Sequence, residues 1–252
     1  MLDLQKANML KRISAAIFDF ILLITLAVGL MWGASSLLNI NKYSKIVDER
    51  GKFYLQKYGF DEPLTEKEYA SLSEEQKAAY NAADKEYKND KEALYANSML
   101  LNLSLLILTF PTLISYIILE FLVPLLFKNG QTVGKMIFGI AVMRRDGIRV
   151  NGLLMFARTV LGKFTVETMI PMLILLMLVF GVIGVFGIVI VAGMIFTQLL
   201  LLIITKERTP IHDKLAQTVT VDMASQMIFD STEELVAYKN KLQAESAGKA
   251  AY

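Results

Sequence analysis

Residues 11–24 read KRISAAIFDFILLI, and they place an aspartate, Asp19, inside an apolar run that follows a basic pair. The run covers residues 13–38, and Asp19 is the only charged residue in it. A bilayer core of about 30 Å needs about 20 helical residues, so this run is long enough to cross a membrane. The stretch therefore predicts a membrane helix that carries a carboxylate within its length.

The composition also indicates a membrane protein. Hydrophobic residues make up 54% of the 252-residue chain, and the mean hydropathy is +0.46, which is more apolar than soluble domains usually are. The net charge of +2 gives no indication of nucleic-acid binding. The absence of cysteine excludes disulfides and thiol chemistry.

Two further apolar runs follow. Residues 98–127 carry Glu120 as their only charge, and residues 168–205 carry no charge. As one helix the latter run would be about 57 Å long, nearly two membrane thicknesses. We predict two helices with a turn near residues 181–187, although one span plus an interfacial helix also fits. The first run exceeds the apolar core of a signal peptide, which disfavours cleavage.

Residues 41–96 form a hydrophilic insert with 10 basic and 12 acidic residues. Thr65 followed by Glu68 is a capping-box pattern, and it predicts that the second half of the insert is helical. Tyr80 and Tyr87 are two helical turns apart. They indicate either an aromatic seam against a neighbouring helix or a docking surface for a partner.

Basic residues predict the orientation in the membrane. Residues 128–165 contain seven Lys or Arg and one acid, and the N-terminal segment adds Lys6, Lys11 and Arg12. Short basic segments stay in the cytoplasm. We therefore expect a multi-pass protein of the cell membrane with both termini cytoplasmic and the insert outside. Basic residues just past the third run, Lys206 and Arg208, favour a cytoplasmic tail.

A small cytoplasmic cap is expected beside the membrane. Residues 137–143 and 147–150 flank the turn signal RRDG, and residues 218–222 are β-prone, which predicts a three-stranded sheet. Residues 152–163 have the pattern of an amphipathic helix that lies at the membrane interface. The tail, residues 223–252, predicts a loose polar helix with a frayed end.

No catalytic motif is present. The segment NGQTVGKM (129–136) resembles a phosphate loop, but it has three residues between its glycines, and Met136 follows Lys135. His212 is the only histidine, so a zinc site has too few ligands. We interpret His212 as a helix-start or interface residue beside Asp213. We expect no enzyme activity, no cofactor and no bound metal.

The two acids in the apolar runs are predicted to share one site. Asp19 lies seven residues after Arg12, and Glu120 lies eight residues before Lys128. In the expected topology, both carboxylates are about 10–12 Å from the cytoplasmic boundary on consecutive helices. Ionisable residues at such depth usually face a cavity or a partner. We therefore predict that Asp19 shares a polar site with Glu120 and an arginine, Arg12, which is two turns away on the same helix face, and that Arg158 supplies a second cation.

Together these segments resemble the RDD family of small bacterial membrane proteins. The resemblance starts at KRISAAIFDFILL, continues through YIILEFLVPLLFKNGQTVGKMIFGIAVMRRDG with its GQTxGK loop, and ends at IHDKLAQTVTV. It covers about residues 11–40 and 98–222, whereas the insert is longer than the family's usual first loop. The residues that match the family pattern are Arg12, Asp19, Glu120, Lys135, Arg158 and Asp213.

The expected fold is an all-α membrane protein. It comprises a four-helix transmembrane bundle (11–40 and 97–222), a helical extracytoplasmic insert (41–96), a cytoplasmic cap of β-structure and amphipathic helix, and a polar tail (223–252).

Two functions remain open. Transport, including cation/proton exchange, has been suggested for the RDD family. The resemblance therefore implies a small cation exchanged for protons at Asp19 and Glu120, supported by Arg12, Arg158, Asp213 and Lys135. The alternative is a non-transporting module that binds and regulates a membrane or cell-envelope partner. Either function implies the lipid bilayer together with a homo-oligomer or a membrane-protein partner, and no nucleic acid.

Overall fold

The computed structural model describes residues 5–127, 129–205 and 209–250. Lys128, Lys206 and Arg208, which the sequence analysis used to judge depth and orientation, lie outside these ranges. The elements in chain order are α1 (Met9–Leu37), α2 (Ile40–Lys57), α3 (Glu66–Ser71), α4 (Glu74–Asn89), α5 (Lys91–Leu126), α6 (Val133–Ile137), β1 (Ile140–Arg144), α7 (Gly152–Val179), α8 (Gly184–Ile204), α9 (Ile211–Leu215), β2 (Thr218–Asp222) and α10 (Thr232–Ala250).

Four helices are long and apolar enough to cross a membrane: α1, α5, α7 and α8. The prediction of a four-helix membrane protein is therefore confirmed. The long third run divides into two spans, because α7 ends at Val179 and α8 begins at Gly184. Gly181 and Gly184 have φ angles of 69° and 52°, a left-handed conformation that glycine adopts without steric cost. The two glycines therefore allow the chain to turn between α7 and α8, although this segment has no polar residue.

The predicted interfacial helix at 152–163 is wrong as a separate element, because this segment continues into the span that ends at Val179. Residues 157–169 of α7 are π-helical, so the chain winds more loosely there than in an α-helix. The hydroxyls of Thr165 and Thr168 donate to carbonyls five residues earlier, at 2.8 and 2.9 Å. The polar residues that suggested an interfacial face are thus accommodated within the third span.

The cap contains a two-stranded antiparallel sheet in which β1 pairs with β2. Pairing of 218–222 with the first strand is confirmed, but residues 137–139 are not part of that strand. The predicted strand at 147–150 is reduced to two isolated bridges, one between Met143 and Arg149 and one between Ile148 and Phe229. The backbone N–H of Arg149 instead donates to the carbonyl of Phe229, at 2.9 Å, and so joins the C-terminal segment to the cap.

The N-terminal segment lies along the other edge of β2. The backbone N–H of Ala7 donates to the carbonyl of Thr220 at 3.3 Å, and that of Asp222 donates to the carbonyl of Gln5 at 3.1 Å. The sheet therefore holds the chain just before α1. At the opposite end of the chain, the predicted polar helix of the tail is present as α10, and residues 251–252 lie outside the described ranges.

The insert is helical in both halves. The predicted capping box at Thr65 and Glu68 begins α3 and is confirmed. A second box, formed by Ser73 and Gln76, begins α4 and divides a segment that had the composition of one helix. The capping-box pattern indicated a helix only in the second half of the insert, and in the first half residues 40–57 form α2.

Aromatic side chains pack between the helices of the insert. The ring of Tyr80 meets those of Phe60 and Tyr69 edge-on, with centroids 5.2 and 5.7 Å apart. The ring of Tyr87 meets that of Tyr54 at 6.3 Å. These contacts confirm the predicted aromatic seam.

The chain divides into two compact units, Val28–Pro111 and Met1–Ala27 with Thr112–Tyr252. The first of these is longer than the predicted insert, because it includes parts of α1 and α5.

Close contact between α7 and α9 requires glycine at position 162. A Cβ atom there would lie 2.6 Å from Cβ and 2.8 Å from Cα of His212. We expect Gly162→Ala to push α9 away and destabilise the protein by about 1–3 kcal/mol, measured as a lower Tm in detergent. Gly193 in α8 is the matched control, because a Cβ there meets no described atom within 4 Å. Gly193→Ala should leave Tm unchanged or raise it, and equal losses in both variants would contradict the prediction.

Candidate functional site

A cavity of about 330 Å³ lies in the unit that contains the sheet. Its volume is within the range of small-molecule pockets, about 300–1,000 Å³. Its wall combines apolar residues of α1 and α8 with ionisable residues from the five helices α1, α5, α6, α7 and α9. The ionisable residues are Arg12, Asp19, Glu120, Tyr116, Lys135, Arg158, Lys163, Glu167, His212 and Asp213.

Asp19 fastens α1 to the start of α6. One carboxylate oxygen accepts from the backbone N–H of Gly134 at 2.7 Å, and the other accepts from the hydroxyl of Thr132. The same hydroxyl caps α6 by accepting from the backbone N–H of Lys135 at 3.3 Å. A Cβ at position 134 would collide with the carbonyl oxygen of Ala15. Glycine at position 134 is therefore needed for this close approach.

Glu120 joins α5 to α7. It lies in a π-helical turn, residues 117–122, and such turns are frequent at functional sites. Its carboxylate is 2.5 Å from Nζ of Lys163, and its backbone carbonyl accepts from the hydroxyl of Thr159 at 2.8 Å. Both the charge and the main-chain carbonyl of Glu120 are therefore satisfied by residues of α7.

Asp213 is the second anchor for α7. Its carboxylate is 2.7 Å from Nε of Arg158, and both side chains are 1% exposed. It also accepts from the hydroxyl of Thr218 at 2.9 Å and lies 4.0 Å from Nη2 of Arg12. Burial tends to raise the pKa of Asp213, but the positive charge of Arg158 holds that pKa well below its usual range. Asp213 is therefore ionised at neutral pH.

His212 and Glu167 form a further polar pair. Nδ1 of His212 is 2.8 Å from the Glu167 carboxylate, which also accepts from the backbone N–H of His212 at 3.0 Å. Burial lowers the pKa of His212 below its usual value. The imidazole is thus neutral at neutral pH, and its Nδ1–H donates to Glu167. His212 is a helix-start residue, as predicted, because it is the second residue of α9.

Lys135 is a buried lysine without a carboxylate partner. Its side chain lines the cavity, and the residue is 7% exposed. Nζ donates to the hydroxyl of Thr132 at 3.3 Å, and no carboxylate of the described residues lies within 4 Å of Nζ. Burial and the positive charge of Lys163 lower the pKa of Lys135 to about 7, although Glu120 and Asp19 act in the opposite direction.

The structure brings all the sequence-predicted site residues to this one cavity: Arg12, Asp19, Glu120, Lys135, Arg158 and Asp213. The pairing differs from the prediction. We expected an arginine beside Asp19, yet the Asp19 carboxylate is held by Thr132 and Gly134, and Arg158 is bonded to Asp213. The reason is that the segment 129–137, which includes α6, packs against α1 and supplies uncharged donors to Asp19.

Lys163 and Glu167 line the cavity but were not among the predicted site residues. They follow Arg158 by five and nine positions, so an α-helical period places Lys163 and Arg158 on different faces. In a π-helix the hydrogen bonds run from i to i+5, and residues five apart lie closer to one face. An unbroken α-helical pattern could not have indicated this grouping.

Comparison with known families places these residues in context. The RDD family model matches residues 6–217, a range that includes every ionisable residue of the cavity, whereas Thr220, which also lines it, lies just beyond. Comparisons with curated proteins and with solved structures give no match.

Because the pKa of Lys135 is lowered in the folded protein, the free energy of unfolding should depend on pH. Between about pH 7 and the ordinary lysine value of 10.5, the unfolded chain keeps this proton while the folded chain has lost it. The free energy of unfolding of the wild-type protein should therefore increase with pH through that window, as far as it depends on Lys135. We expect Lys135→Met to raise Tm over wild type most at about pH 6.5, with a smaller gain at about pH 9.5, measured in detergent and phosphate-free buffer. Lys214→Met, on the exposed side of α9, is the control. A gain for Lys135→Met that does not depend on pH would contradict the shift.

Proposed function

Because the chain belongs to the RDD family, we propose that this integral membrane protein exchanges a small cation for protons through the cavity. Asp19 and Glu120 are the carboxylates that would hold the cation or the proton. The observation that carries the proposal is the ion pair between Glu120 and Lys163, which stands in the wall of a cavity among membrane helices.

Charge compensation supports this mechanism. A carboxylate in a medium of low dielectric constant is costly unless a positive charge lies beside it. In the structure, that charge at Glu120 is the ammonium group of Lys163, 2.5 Å away. A cation that enters the cavity would take the place of the ammonium group beside the carboxylate. A proton on the carboxylate would neutralise it, so that neither the ammonium group nor the cation would be required. Cation and proton therefore compete for the same group, as an exchanger requires.

The site also lacks the features of permanent metal retention. Among the described residues, no group of three or more His, Asp or Glu side chains is arranged to hold a metal ion. A transported ion must leave again, so weak and incomplete coordination suits transport. The buried pair of Arg158 and Asp213 would fix α7 against α9 while the ion passes.

The proposed orientation follows from the basic residues. With the basic segment before α7, residues 129–151, and the N-terminal segment in the cytoplasm, the cavity would face the cytoplasm and the 41–96 insert would lie outside. Four spans make a narrow pathway, so we propose a homo-oligomer or a complex with another membrane protein.

A second candidate function is binding and regulation of a membrane or cell-envelope partner. The observation that favours it is that Val28–Pro111 forms a compact unit by itself, with an aromatic seam and exposed rings such as Phe53 and Tyr95. In this function the charged residues of the cavity would serve only to hold the helices together.

Ion flux distinguishes the two candidates. In proteoliposomes with an imposed sodium or potassium gradient, we expect wild-type protein to move protons, and Asp19→Asn or Glu120→Gln to reduce that movement to the level of protein-free liposomes. Glu74→Gln removes an exposed acid of the insert and should retain the flux. Size-exclusion profiles and Tm establish that each variant is folded. Folded wild-type protein without cation-dependent proton movement would reject exchange and favour partner binding.

The proposed orientation has its own test. The chain contains no cysteine, so single cysteines at Lys77 in the insert and Ser246 in the tail report without background. In intact cells, an impermeant thiol reagent should label position 77 and leave position 246 unlabelled until the cells are opened. Labelling of position 246 in intact cells, or no labelling of position 77, would contradict the proposed orientation.

A further inference from the structure

Lys135 has unused hydrogen-bonding capacity. An ammonium group has three protons to donate, whereas the described contacts of Nζ comprise one long bond to the Thr132 hydroxyl. The residue is 7% exposed, so most of its surface is withdrawn from bulk water. A buried charged donor without a partner costs free energy, and the open space beside it is the cavity.

Arg158 adds a second incomplete cation to the same wall. Its Nε bonds Asp213, but its buried Nη1 has no hydrogen-bond partner among the described residues. Lys163 is a third cation nearby, and its positive charge, like that of Arg158, acts to lower the pKa of Lys135. Because Lys163 and Arg158 are already paired with Glu120 and Asp213, Lys135 is the cation whose charge a bound anion would compensate.

Part of the cavity wall is apolar and reaches the outer surface of the membrane helices. Ile13 and Phe20 line the cavity from α1 and are 46% and 58% exposed, and Leu202 lines it from α8. Since α1 and α8 are long and apolar enough to span a membrane, we expect the exposed side chains to lie against acyl chains. The same cavity therefore combines an apolar wall with buried cations.

We propose that this cavity binds a phosphate-type oxyanion, with Lys135 and Arg158 as its principal donors and Lys163 beside them. Phosphate oxygens accept strong, charge-assisted hydrogen bonds from lysine and arginine. The headgroup of a phospholipid and free phosphate share this chemistry, and the exposed apolar residues of the wall, Ile13 and Phe20, favour the phospholipid.

This oxyanion subsite goes beyond cation exchange and does not depend on it. Its donors are lysine and arginine side chains, whereas the exchange proposal uses the carboxylates of Asp19 and Glu120. Oxyanion binding is measured at equilibrium without an ion gradient. A protein that binds the oxyanion but moves no cation, or the reverse, would therefore separate the two proposals.

The experiment is isothermal titration calorimetry on the full-length protein in uncharged detergent. The probes are dihexanoyl phosphatidylglycerol, inorganic phosphate, and dihexanoylglycerol as the phosphate-free lipid. We expect the phospholipid to bind and dihexanoylglycerol not to bind. Lys135→Gln should raise the Kd about ten- to a hundredfold, the loss of one charge-assisted hydrogen bond. Lys135→Arg should retain binding, and Lys214→Gln, which removes an exposed lysine, should leave it unchanged.

The outcomes separate the sources of the oxyanion. Binding of both phosphate-bearing probes with the same dependence on Lys135 would identify the phosphate group itself as the ligand, and binding of the phospholipid alone would identify a lipid headgroup. Three results would overturn the proposal: neither phosphate-bearing probe binds, dihexanoylglycerol binds as tightly as the phospholipid, or a folded Lys135→Gln protein binds as tightly as wild type. The comparison of probes uses wild-type protein, so it decides the matter even if the variant does not fold.

Discussion

The carboxylate of Asp19 needs hydrogen-bond donors inside a membrane helix, and the loop before β1 supplies them. The hydroxyl of Thr132 and the backbone N–H of Gly134 both donate to it. Because α6 must begin where these two donors can reach α1, the segment that leads into β1 is fixed as well. The strands, and with them the return of the chain at α9, are therefore positioned by one buried charge and its two neutral donors.

The loosely wound segments of α5 and α7 solve a related problem. Hydrocarbon offers no hydrogen bonds, so each displaced main-chain carbonyl needs a partner within the protein. Thr159 supplies one to Glu120, and Thr165 and Thr168 supply others within α7. The same irregular winding brings Lys163 to Glu120. Polar side chains thus both compensate for the irregular backbone and build the wall of the cavity.

The charges of the cavity are arranged unevenly although acids and bases are equal in number. Asp213 and Glu120 have cationic partners, Glu167 is bonded to a histidine, and Asp19 relies on neutral donors. Lys135 is left with a hydroxyl. Such a site does not resemble a closed structural network, in which each charge has its partner. Both proposals for the cavity start from this uneven pairing of its charges.

Several features follow from the sequence because they depend on local or one-dimensional properties. Length and hydropathy indicated the four membrane helices, side-chain chemistry indicated the capping box at Thr65, and β-propensity indicated that residues 218–222 pair with the first strand. The depth of Asp19 and Glu120 in their runs was enough to predict that both belong to one polar site, and both line the same cavity.

Only the tertiary structure decided which groups meet. The donors to Asp19, Thr132 and Gly134, are uncharged and lie more than a hundred residues away at the start of α6, so no charge pattern could indicate them. Lys163 and Glu167 reach the cavity because α7 departs from the α-helical period. The segment expected as a strand at 147–150 shares its hydrogen bonds between Arg144 and Phe229. Hydrophobic patterns determine which segments leave water, whereas the pairing of buried polar groups depends on contacts between segments distant in sequence. The sequence alone therefore determined the membrane helices and the residues available to a site, and the folded structure determined the site itself.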